Sequence, residues 1–431
     1  MRVNATVEDR NMKKRLLIYA HYYFPDTAST GQILKELAEG MRDKFDITII
    51  CVVPSYLGTI EDKYKEEKFY EENINGVKIT RIRVPEFRKV DKGSRIRNIL
   101  AYFIGALSAT FRVGKMDYVF GISQPPILGG LLGVWGKWVK HAKFIYNIQD
   151  FNPEQTMAIG YEKKRFITRI MMHLDKFSCK KSDIIITVGR DLVETINARF
   201  NGKKVPKTIM INNWIDEKVV YPLSKSHPRV TEFKEQHGLS NKFVIMYSGN
   251  LGLYYDLKNL IKVIEKFKPR TKTEDGREIV FVFVGAGSAL EDLVMYKEQH
   301  SMDNVVFIPY QVKEELIYSL NAADVHWCVN SKGIKGVSCP SKYYGICASK
   351  KPILGVLECG SEIRMLIEET RGGLVCEPGD YAKIEENIKW FIGHAGKPEV
   401  DAMGCRGYEY LKDNLTKDMS IQKYIKVIED L

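Results

Sequence analysis

The sequence predicts two doubly wound α/β domains, Rossmann-like in plan, that face each other across a cleft. Apolar strand-like runs alternate with helical stretches along the whole chain, which is typical of parallel strands covered by helices on both faces. The alternation falls into two blocks, and a polar, proline-containing segment at 212–228 separates them. A chain of 431 residues also exceeds one compact core and favours two domains of about 200 residues each.

In the first block, short β-branched runs predict seven strands and longer segments predict helices. The predicted strands are Arg15–Ala20, Ile47–Val53, Val77–Val84, Tyr118–Ile122, Lys143–Ile148, Asp183–Val188 and Thr208–Ile211. The main predicted helices are Gln32–Arg42, Ile96–Phe111 and Lys164–Lys180.

The second block repeats this plan with six predicted strands. These are Phe243–Tyr247, Ile279–Val284, Val305–Ile308, Val325–Val329, Ile353–Val356 and Leu374–Cys376. A last helix at Met419–Leu431 has no strand after it and can pack on either domain. We therefore divide the chain into a disordered extension (1–12), an N-terminal domain (13–211), a linker (212–228), a C-terminal domain (229–412) and a C-terminal helix (413–431).

The composition excludes several classes of protein. Hydrophobic residues at 45% and charged residues at 28% describe a globular protein and not a disordered or fibrous one. The eight cysteines are scattered and form no CxxC pair, which favours reduced thiols over a zinc site or a disulfide framework. We expect a cytoplasmic protein without a metal.

The net charge of +11 belongs to one half of the chain. Residues 1–210 hold 36 Lys and Arg against 23 Asp and Glu, whereas the remainder holds 29 against 31. This asymmetry indicates an anionic partner for the first half: nucleic acid, an anionic membrane or a phosphorylated substrate. No nucleic-acid-binding module is recognisable, so we expect no nucleic acid partner.

Two segments of the first half are candidates for contact with a membrane. Ile99–Phe111 is strongly apolar and flanked by arginines, yet it is shorter than the roughly 20 residues that span a bilayer. It is either a buried helix of the domain or an interfacial helix that dips into the membrane. Lys163–Lys181 is rich in basic residues, as expected of a solvated face or of one that meets an anionic surface.

Ligands of open α/β sheets bind beyond the carboxyl ends of the strands, so the loops there are the candidate sites. In the N-terminal domain, a long aromatic loop runs from His21 to the turn of Ser29, Thr30 and Gly31. That turn either holds a phosphate or simply caps a helix. Asp150 ends another strand, where it either accepts a proton from a substrate hydroxyl or caps the next helix.

In the C-terminal domain, two glycine-containing loops follow successive strands. Gly249 and Asn250 follow the first strand, and Gly285 and Gly287 follow the next. Glycines permit close approach of the backbone to a phosphate.

Two predicted helix starts in the same domain also carry candidate ligands. Ser341 and Lys342 begin one helix, and a lysine there suits a bound diphosphate better than it suits the helix dipole alone. The alternative is an ordinary helix start with a solvated lysine. Ser361 and Glu362 begin another, where the carboxylate either binds ribose hydroxyls or only favours the helix start.

Taken in order, these segments resemble the retaining glycosyltransferases of family 4, which have the GT-B fold. The subgroup of cell-surface polysaccharide enzymes, such as the colanic-acid and fucosamine-type O-antigen transferases, is the most similar. The motifs that carry the resemblance are Tyr22-Tyr23-Phe24-Pro25, Asp150-Phe151-Asn152-Pro153-Glu154, Asn213-Trp214-Ile215-Asp216, Ser248-Gly249-Asn250-Leu251-Gly252, Ala322-Ala323-Asp324-Val325 and Pro340-Ser341-Lys342.

The resemblance implies a UDP-sugar donor on the C-terminal domain, an acceptor on the N-terminal domain and retention of anomeric configuration. Asp150 and Lys342 match catalytic positions, and Gly249 and Asn250 match the donor-diphosphate loop. Lys258 is the nearest candidate for a basic residue that the subgroup places after this loop. The resemblance implies no cofactor besides the UDP-sugar donor. We hypothesise a polyprenyl-diphosphate-linked saccharide acceptor, for capsule, exopolysaccharide or O-antigen synthesis, reached at the inner face of the plasma membrane.

The chain departs from the family at two positions that often hold glutamates, here Val337 and Gly345. Two alternatives therefore stay open: a UDP-sugar epimerase of GT-B fold, and an inactive nucleotide-sugar-binding protein. Epimer formation without an acceptor would favour the first, and binding without turnover the second.

Overall fold

The first domain is built on an eight-stranded sheet. The computed structural model describes residues 13–26, 29–88, 91–158, 160 and 165–431, so the extension predicted at 1–12 lies outside the described residues. The strands are β1 (Lys14–Tyr19), β2 (Phe45–Val52), β3 (Phe69–Ile74), β4 (Val77–Ile82), β5 (Tyr118–Ile122), β6 (Lys143–Ile148), β7 (Ile184–Thr187) and β8 (Thr208–Met210). Their spatial order is β3-β4-β2-β1-β5-β6-β7-β8.

Helices cover both faces of this sheet. They are α1 (Ser29–Met41), α2 (Lys92–Arg112), α3 (Leu128–Lys140), α4 (Glu154–Ala158), α5 (Arg165–Lys181) and α6 (Arg190–Arg199). One buried cluster lies beneath α2 and α3 and includes Tyr102 and Leu132. The opposite cluster lies beneath α1 and includes Leu34 and Leu37. The near-continuous apolar strands thus reflect burial on both faces.

The second domain has a six-stranded, all-parallel sheet. Its strands are β9 (Lys242–Ser248), β10 (Glu278–Val284), β11 (Val305–Ile308), β12 (Val325–Val329), β13 (Ile353–Val356) and β14 (Gly373–Cys376), in the order β11-β10-β9-β12-β13-β14. Its helices are α7 (Pro228–Gln236), α8 (Leu257–Ile264), α9 (Leu290–Gln299), α10 (Leu316–Asn321), α11 (Lys342–Ala348), α12 (Glu362–Thr370), α13 (Tyr381–Gly393) and α14 (Pro398–Asn414).

The chain returns to the first domain at its end through α15 (Lys417–Glu429). Ile421, Ile425 and Ile428 of this helix join the core cluster beneath α1. The Tyr424 hydroxyl accepts a hydrogen bond from Asn147 of β6 at 2.9 Å. The predicted start of this segment at residue 413 falls within the last turn of α14.

Candidate functional site

The loop after β6 joins the two domains. The Phe151 N–H donates to the carbonyl of Val337 at 2.8 Å, and Asp150 and Ser338 form an antiparallel β-bridge. Asp150 therefore lies at the carboxyl end of the first sheet, as expected, and in direct contact with the second domain.

The Asp150 carboxylate is held by both domains. It accepts hydrogen bonds from Ser338 of the second domain and from Gln124 of the first. Burial raises the pKa of Asp150, and the two hydrogen bonds act in the opposite direction. Thr30 Oγ1 in turn donates to Gln124 Oε1 at 2.9 Å, so the loop after β1 and Asp150 belong to one network.

The residues after Asp150 anchor it rigidly. Phe151 is fully buried, and the guanidinium of Arg199 lies 4.2 Å from its ring centroid. Arg199 also pairs with Glu154 at 2.6 Å and with the buried Asp175. Most of the Asp-Phe-Asn-Pro-Glu motif thus holds Asp150 in position.

A cavity of about 230 Å³ lies beside Asp150 in the first domain. Its lining includes His21, Arg95, Asn98 and Gln124. Two of the lining residues, His21 and Asn98, are buried polar side chains that neighbour each other. Burial lowers the pKa of His21 to about 4, so the ring is neutral at physiological pH.

The aromatic loop after β1 contributes to the same cavity. Its helix α1 begins at Ser29, whose side chain lies outside the described residues. A Cβ at Gly31 would lie 3.0 Å from the carbonyl oxygen of Tyr22. The glycine therefore lets the helix start pack closely on the loop, whether or not it also binds a phosphate.

Lys342 lies on the second domain, four residues after Ser338, and begins α11 as predicted. Its Nζ is 3.9 Å from the ring centroid of Tyr255 and 5.0 Å from that of Tyr247. It also lies 3.4 Å from the point where a Cβ on Gly249 would be. No carboxylate of the described residues forms an ion pair with it.

The Lys342 ammonium therefore has no carboxylate partner among the described residues, but it keeps its proton. Burial acts to lower the pKa of Lys342, contacts with Tyr247, Tyr255 and Cys328 act to raise it, and the net direction is upward. The ammonium remains protonated and is available to an anion at the Gly249 loop.

The two glycine loops pack against each other. Gly249 and Gly285 have φ values of 137° and 143°, which disfavour any side chain. A Cβ at Gly285 would lie 2.0 Å from the Gly249 carbonyl, and one at Gly287 would lie 2.4 Å from Leu251. Gly285 and Gly287 are therefore required by loop packing, which fixes the position of Gly249 and Asn250.

Other predicted ligands are engaged elsewhere. Lys258 is paired with Asp292 at 2.5 Å. Glu362 is 2% exposed and accepts from the backbone N–H and Nε of Arg190, at 2.7 and 2.9 Å. Each side chain is thus held by an ion pair, and the Glu362 pair links the domains.

The remaining two serines are helix starts. Ser341 immediately precedes α11 without capping it through its side chain. Ser361 precedes α12, and its hydroxyl donates to the carbonyl of Glu358 at 2.8 Å.

Sequence reasoning missed two residues of the site, Gln124 and Ser338. Gln124 follows β5 at the same sheet edge as Asp150, so the rule about strand ends could have found it. Ser338 precedes the Pro-Ser-Lys motif, and no local pattern indicates its contact with the other domain.

The described residues lack two further kinds of feature. They contain no group of three or more His, Cys, Asp or Glu side chains suited to hold a metal ion. Nor does any helix in the described ranges have the length and apolar character needed to cross a membrane.

Comparison with known proteins identifies the class of enzyme. Residues 229–407 match the family model described as Glycosyl transferases group 1. WbjE of Pseudomonas aeruginosa, named as a probable glycosyltransferase, is 24% identical over 424 residues, which cover 97% of this chain and 98% of WbjE. The chain is a glycosyltransferase. WcaI of Escherichia coli K12, named for colanic acid biosynthesis, is 22% identical over 388 residues, which cover 87% of this glycosyltransferase and 91% of WcaI.

Solved structures confirm the predicted GT-B fold. Sucrose-phosphate synthase from Thermosynechococcus elongatus superposes with a TM-score of 0.74 at 11% identity and covers 97% of this chain and 99% of its own. Anabaena HepE in complex with UDP-glucose gives a TM-score of 0.66 at 13% identity, with 97% and 100% covered. Membership of family 4 and retention remain predictions.

Proposed function

We propose that this glycosyltransferase moves a sugar from a UDP-sugar to a lipid-linked saccharide, with retention of configuration, in the synthesis of a cell-surface polysaccharide. The observation that carries the proposal is the segment from Ser338 to Lys342. Ser338 of this segment bridges to Asp150, a half-buried carboxylate of the first domain, and Lys342 at its end carries an ammonium without a carboxylate partner among the described residues.

The donor half of the proposal rests on charge. Cleavage of the bond between sugar and phosphate leaves negative charge on UDP, and fixed donors around that charge are the main catalytic resource. The Lys342 ammonium lies beside Gly249 and supplies that positive charge, so the proposed reaction includes no divalent cation. HepE, of the same fold, has been solved with UDP-glucose, which supports a UDP-sugar as the donor.

The acceptor half rests on the cavity beside Asp150. The buried polar side chains of His21 and Asn98 suit sugar hydroxyls, which both donate and accept hydrogen bonds. Arg95 lines the same cavity and suits the diphosphate of a lipid carrier. We assign Asp150 the role of orienting the acceptor hydroxyl and accepting its proton.

A lipid-linked acceptor also requires a surface that meets the membrane. Helices α2, α3 and α5 pack side by side on one face of the first sheet. They carry nine large hydrophobic side chains that are at least about one-third exposed. These are Ile96, Leu100, Ile104, Phe111, Trp138, Phe166, Ile167, Ile170 and Leu174. We call this the α2–α3–α5 face.

The charges of the α2–α3–α5 face complement an anionic bilayer. The three helices contain eleven Lys and Arg and a single acid, Asp175, which is 3% exposed and paired with Arg199. Apolar side chains among basic ones are typical of interfacial helices on anionic lipids. The predicted basic run continues to Lys163 and Lys164, which lie outside the described residues.

The acceptor cavity opens beside this face. Arg95, Asn98 and Ile99 of α2 line the cavity, while Ile96 and Leu100 of the same helix are exposed. A lipid carrier held at the membrane could therefore present its saccharide to Asp150. This supports a peripheral location on the inner face of the plasma membrane.

The test combines donor and acceptor. Purified protein is incubated with a panel of UDP-sugars and a synthetic polyprenyl-diphosphate saccharide, with and without EDTA, and products are analysed by mass spectrometry and NMR. We expect one UDP-sugar to yield an extended lipid-linked saccharide whose new linkage keeps the donor anomer, also with EDTA. An inverted linkage would contradict retention, and an epimer formed without acceptor would favour an epimerase.

A further inference from the structure

A second cavity, of about 270 Å³, lies at the far end of the second domain. Its lining includes Phe243 at the start of β9, Arg277 before β10, Asp324 before β12 and Pro352 before β13. It therefore lies at the amino ends of these strands, whereas Gly249 follows the carboxyl end of β9. The cavity and the proposed donor site are at opposite edges of one sheet.

Lys351 is unusual among the residues of this cavity because it is a buried cation. It is only 9% exposed, and its ammonium has no hydrogen-bond or ion-pair partner in the described part of the chain. The charges that act on it are those of Asp324 and Asp401, which attract it, and of Lys225 and Lys234, which repel it. A buried cation without a partner is costly unless an anion compensates it.

The nearby Asp324 is already engaged. Its carboxylate accepts from the Val244 N–H at 2.9 Å and pairs with Arg277 at 2.9 Å and with Lys225 at 3.6 Å. It has no remaining short contact to offer Lys351.

Cations outnumber acids on the cavity wall. Lys225, Arg277, Lys350 and Lys351 line it, against Asp324 and Asp401. Arg277 is also paired with Asp275 at 2.7 Å, so the excess falls mainly on the lysines, and an anionic ligand would balance it. Apolar lining from Phe243, Pro352 and Val400 leaves room for a small organic group beside the charge.

We infer that this cavity binds a small phosphate monoester, with the phosphate dianion at Lys351 and the organic group against Phe243 and Val400. This site has no part in the proposed transfer reaction. Its cavity shares no lining residue with the cavity beside Asp150.

The test uses glycerol 3-phosphate as the probe and isothermal titration calorimetry of the full chain at pH 7. Lys351→Met removes the charge at similar length, Lys342→Met removes the charge of the proposed donor site, and Lys262→Met is a control at an exposed lysine of α8. We expect one site in the parent protein, the same affinity in Lys342→Met and Lys262→Met, and at least tenfold weaker binding in Lys351→Met. Unchanged binding in Lys351→Met, or loss only in Lys342→Met, would overturn the inference.

Two further arms make the test robust. Should Lys351→Met fail to fold, Lys225→Met on the exposed rim is expected to weaken binding several-fold, and equal affinity would count against the site. Inorganic phosphate is expected to bind more weakly than the ester, and equal affinity would reassign the site to free phosphate. A negative result at this cavity would not count against the transfer reaction, because that reaction is tested separately by the turnover of a Lys342 variant.

Binding should also depend on pH. Burial lowers the pKa of Lys351 to about 8, and Asp324 opposes this shift. The other charged groups around it are Lys225, Lys234, Lys350, Arg277 and Asp401. Affinity for glycerol 3-phosphate is expected to fall as pH rises from 7 through 9 in the parent protein. A pH-independent affinity over that range would argue against Lys351 as the ligand.

Discussion

At the scale of the residue, the clearest prediction concerns the effect of Lys342 on turnover. Its ammonium lies beside the Gly249 loop, above Tyr255 and without an acidic partner among the described residues. Lys342→Ala is expected to lower turnover by roughly 10- to 1000-fold, the range for loss of one donor to transition-state charge. Steady-state kinetics with Lys262→Ala as the exposed control measure this, and parent-like turnover in a folded Lys342→Ala would remove it from the mechanism.

The buried His326 predicts an acid-sensitive stability. Burial lowers its pKa to about 4, below the value of about 6.5 for an unfolded histidine. Since the unfolded chain then binds the extra proton, stability is full above pH 6.5 and declines as pH falls toward 4. The loss for this residue is about 3 kcal/mol.

Urea unfolding at several pH values between 7 and 4 measures this decline. His326→Gln, which does not titrate, is expected to show a shallower loss than the parent protein. Equal slopes in the two proteins would show that the buried ring is not responsible. His21, with the same direction of shift, keeps part of the slope in the variant.

Individual site residues were predictable where a strand end and a residue type coincide. Asp150 satisfied this at the end of β6, whereas Lys342 was predicted from a helix start. The β-bridge between Asp150 and Ser338, four residues before Lys342, joins the two segments. Glu362 was predicted from a carboxylate at a helix start after a strand, and Lys258 from the family resemblance. Each is held by an ion pair that only the three-dimensional packing creates. Ser338 was missed for the same reason, since its partner lies about 190 residues earlier in another domain.

At the scale of the element, the α2–α3–α5 face carries a prediction about lipid. Ile104→Glu combined with Phe111→Glu places two acids among exposed apolar side chains, 62% and 65% exposed respectively. Because neither side chain is buried in the core, the fold should persist while binding to anionic liposomes falls at least several-fold. Flotation assays measure this.

The matched control is Met295→Glu, an exposed apolar residue of α9 on the second domain. It should leave flotation unchanged. Equal flotation of the double variant and the parent would show that the α2–α3–α5 face does not meet the membrane.

Most elements were predictable because buried parallel strands are continuous apolar runs. β3 was missed, although Asn75 and Gly76 between β3 and β4 are a known hairpin signal. Both have positive φ, 51° and 85°, and join the antiparallel pair. β3 has only half-buried and exposed positions at the sheet edge, so it lacks the continuous apolar run that revealed its neighbours.

At the scale of the whole molecule, α6 of the first domain binds the second domain through side-chain contacts. Arg190 pairs with Glu362 and Glu369 of α12, and Asp191 accepts from the Gly336 N–H at 2.8 Å. These contacts hold the domains in the arrangement that brings Asp150 to Ser338.

Arg190→Met should therefore loosen domain closure without unfolding either domain. Loss of the side-chain partner of the buried Glu362 costs about 1–2 kcal/mol. We expect a larger radius of gyration in small-angle X-ray scattering and a raised KM for the donor. Lys389→Met, which breaks an exposed pair within the second domain, is the control and should change neither quantity; no change in Arg190→Met would show that these contacts do not hold the domains together.

The central claim is that a UDP-sugar is held at the seam between the two domains. A crystal structure of the protein with UDP tests this most directly. We expect the diphosphate about 3 Å from Lys342 Nζ and next to the backbone of Gly249 and Asn250. UDP bound elsewhere, in the cavity lined by Lys351 or on the outer surface of either domain, would contradict it.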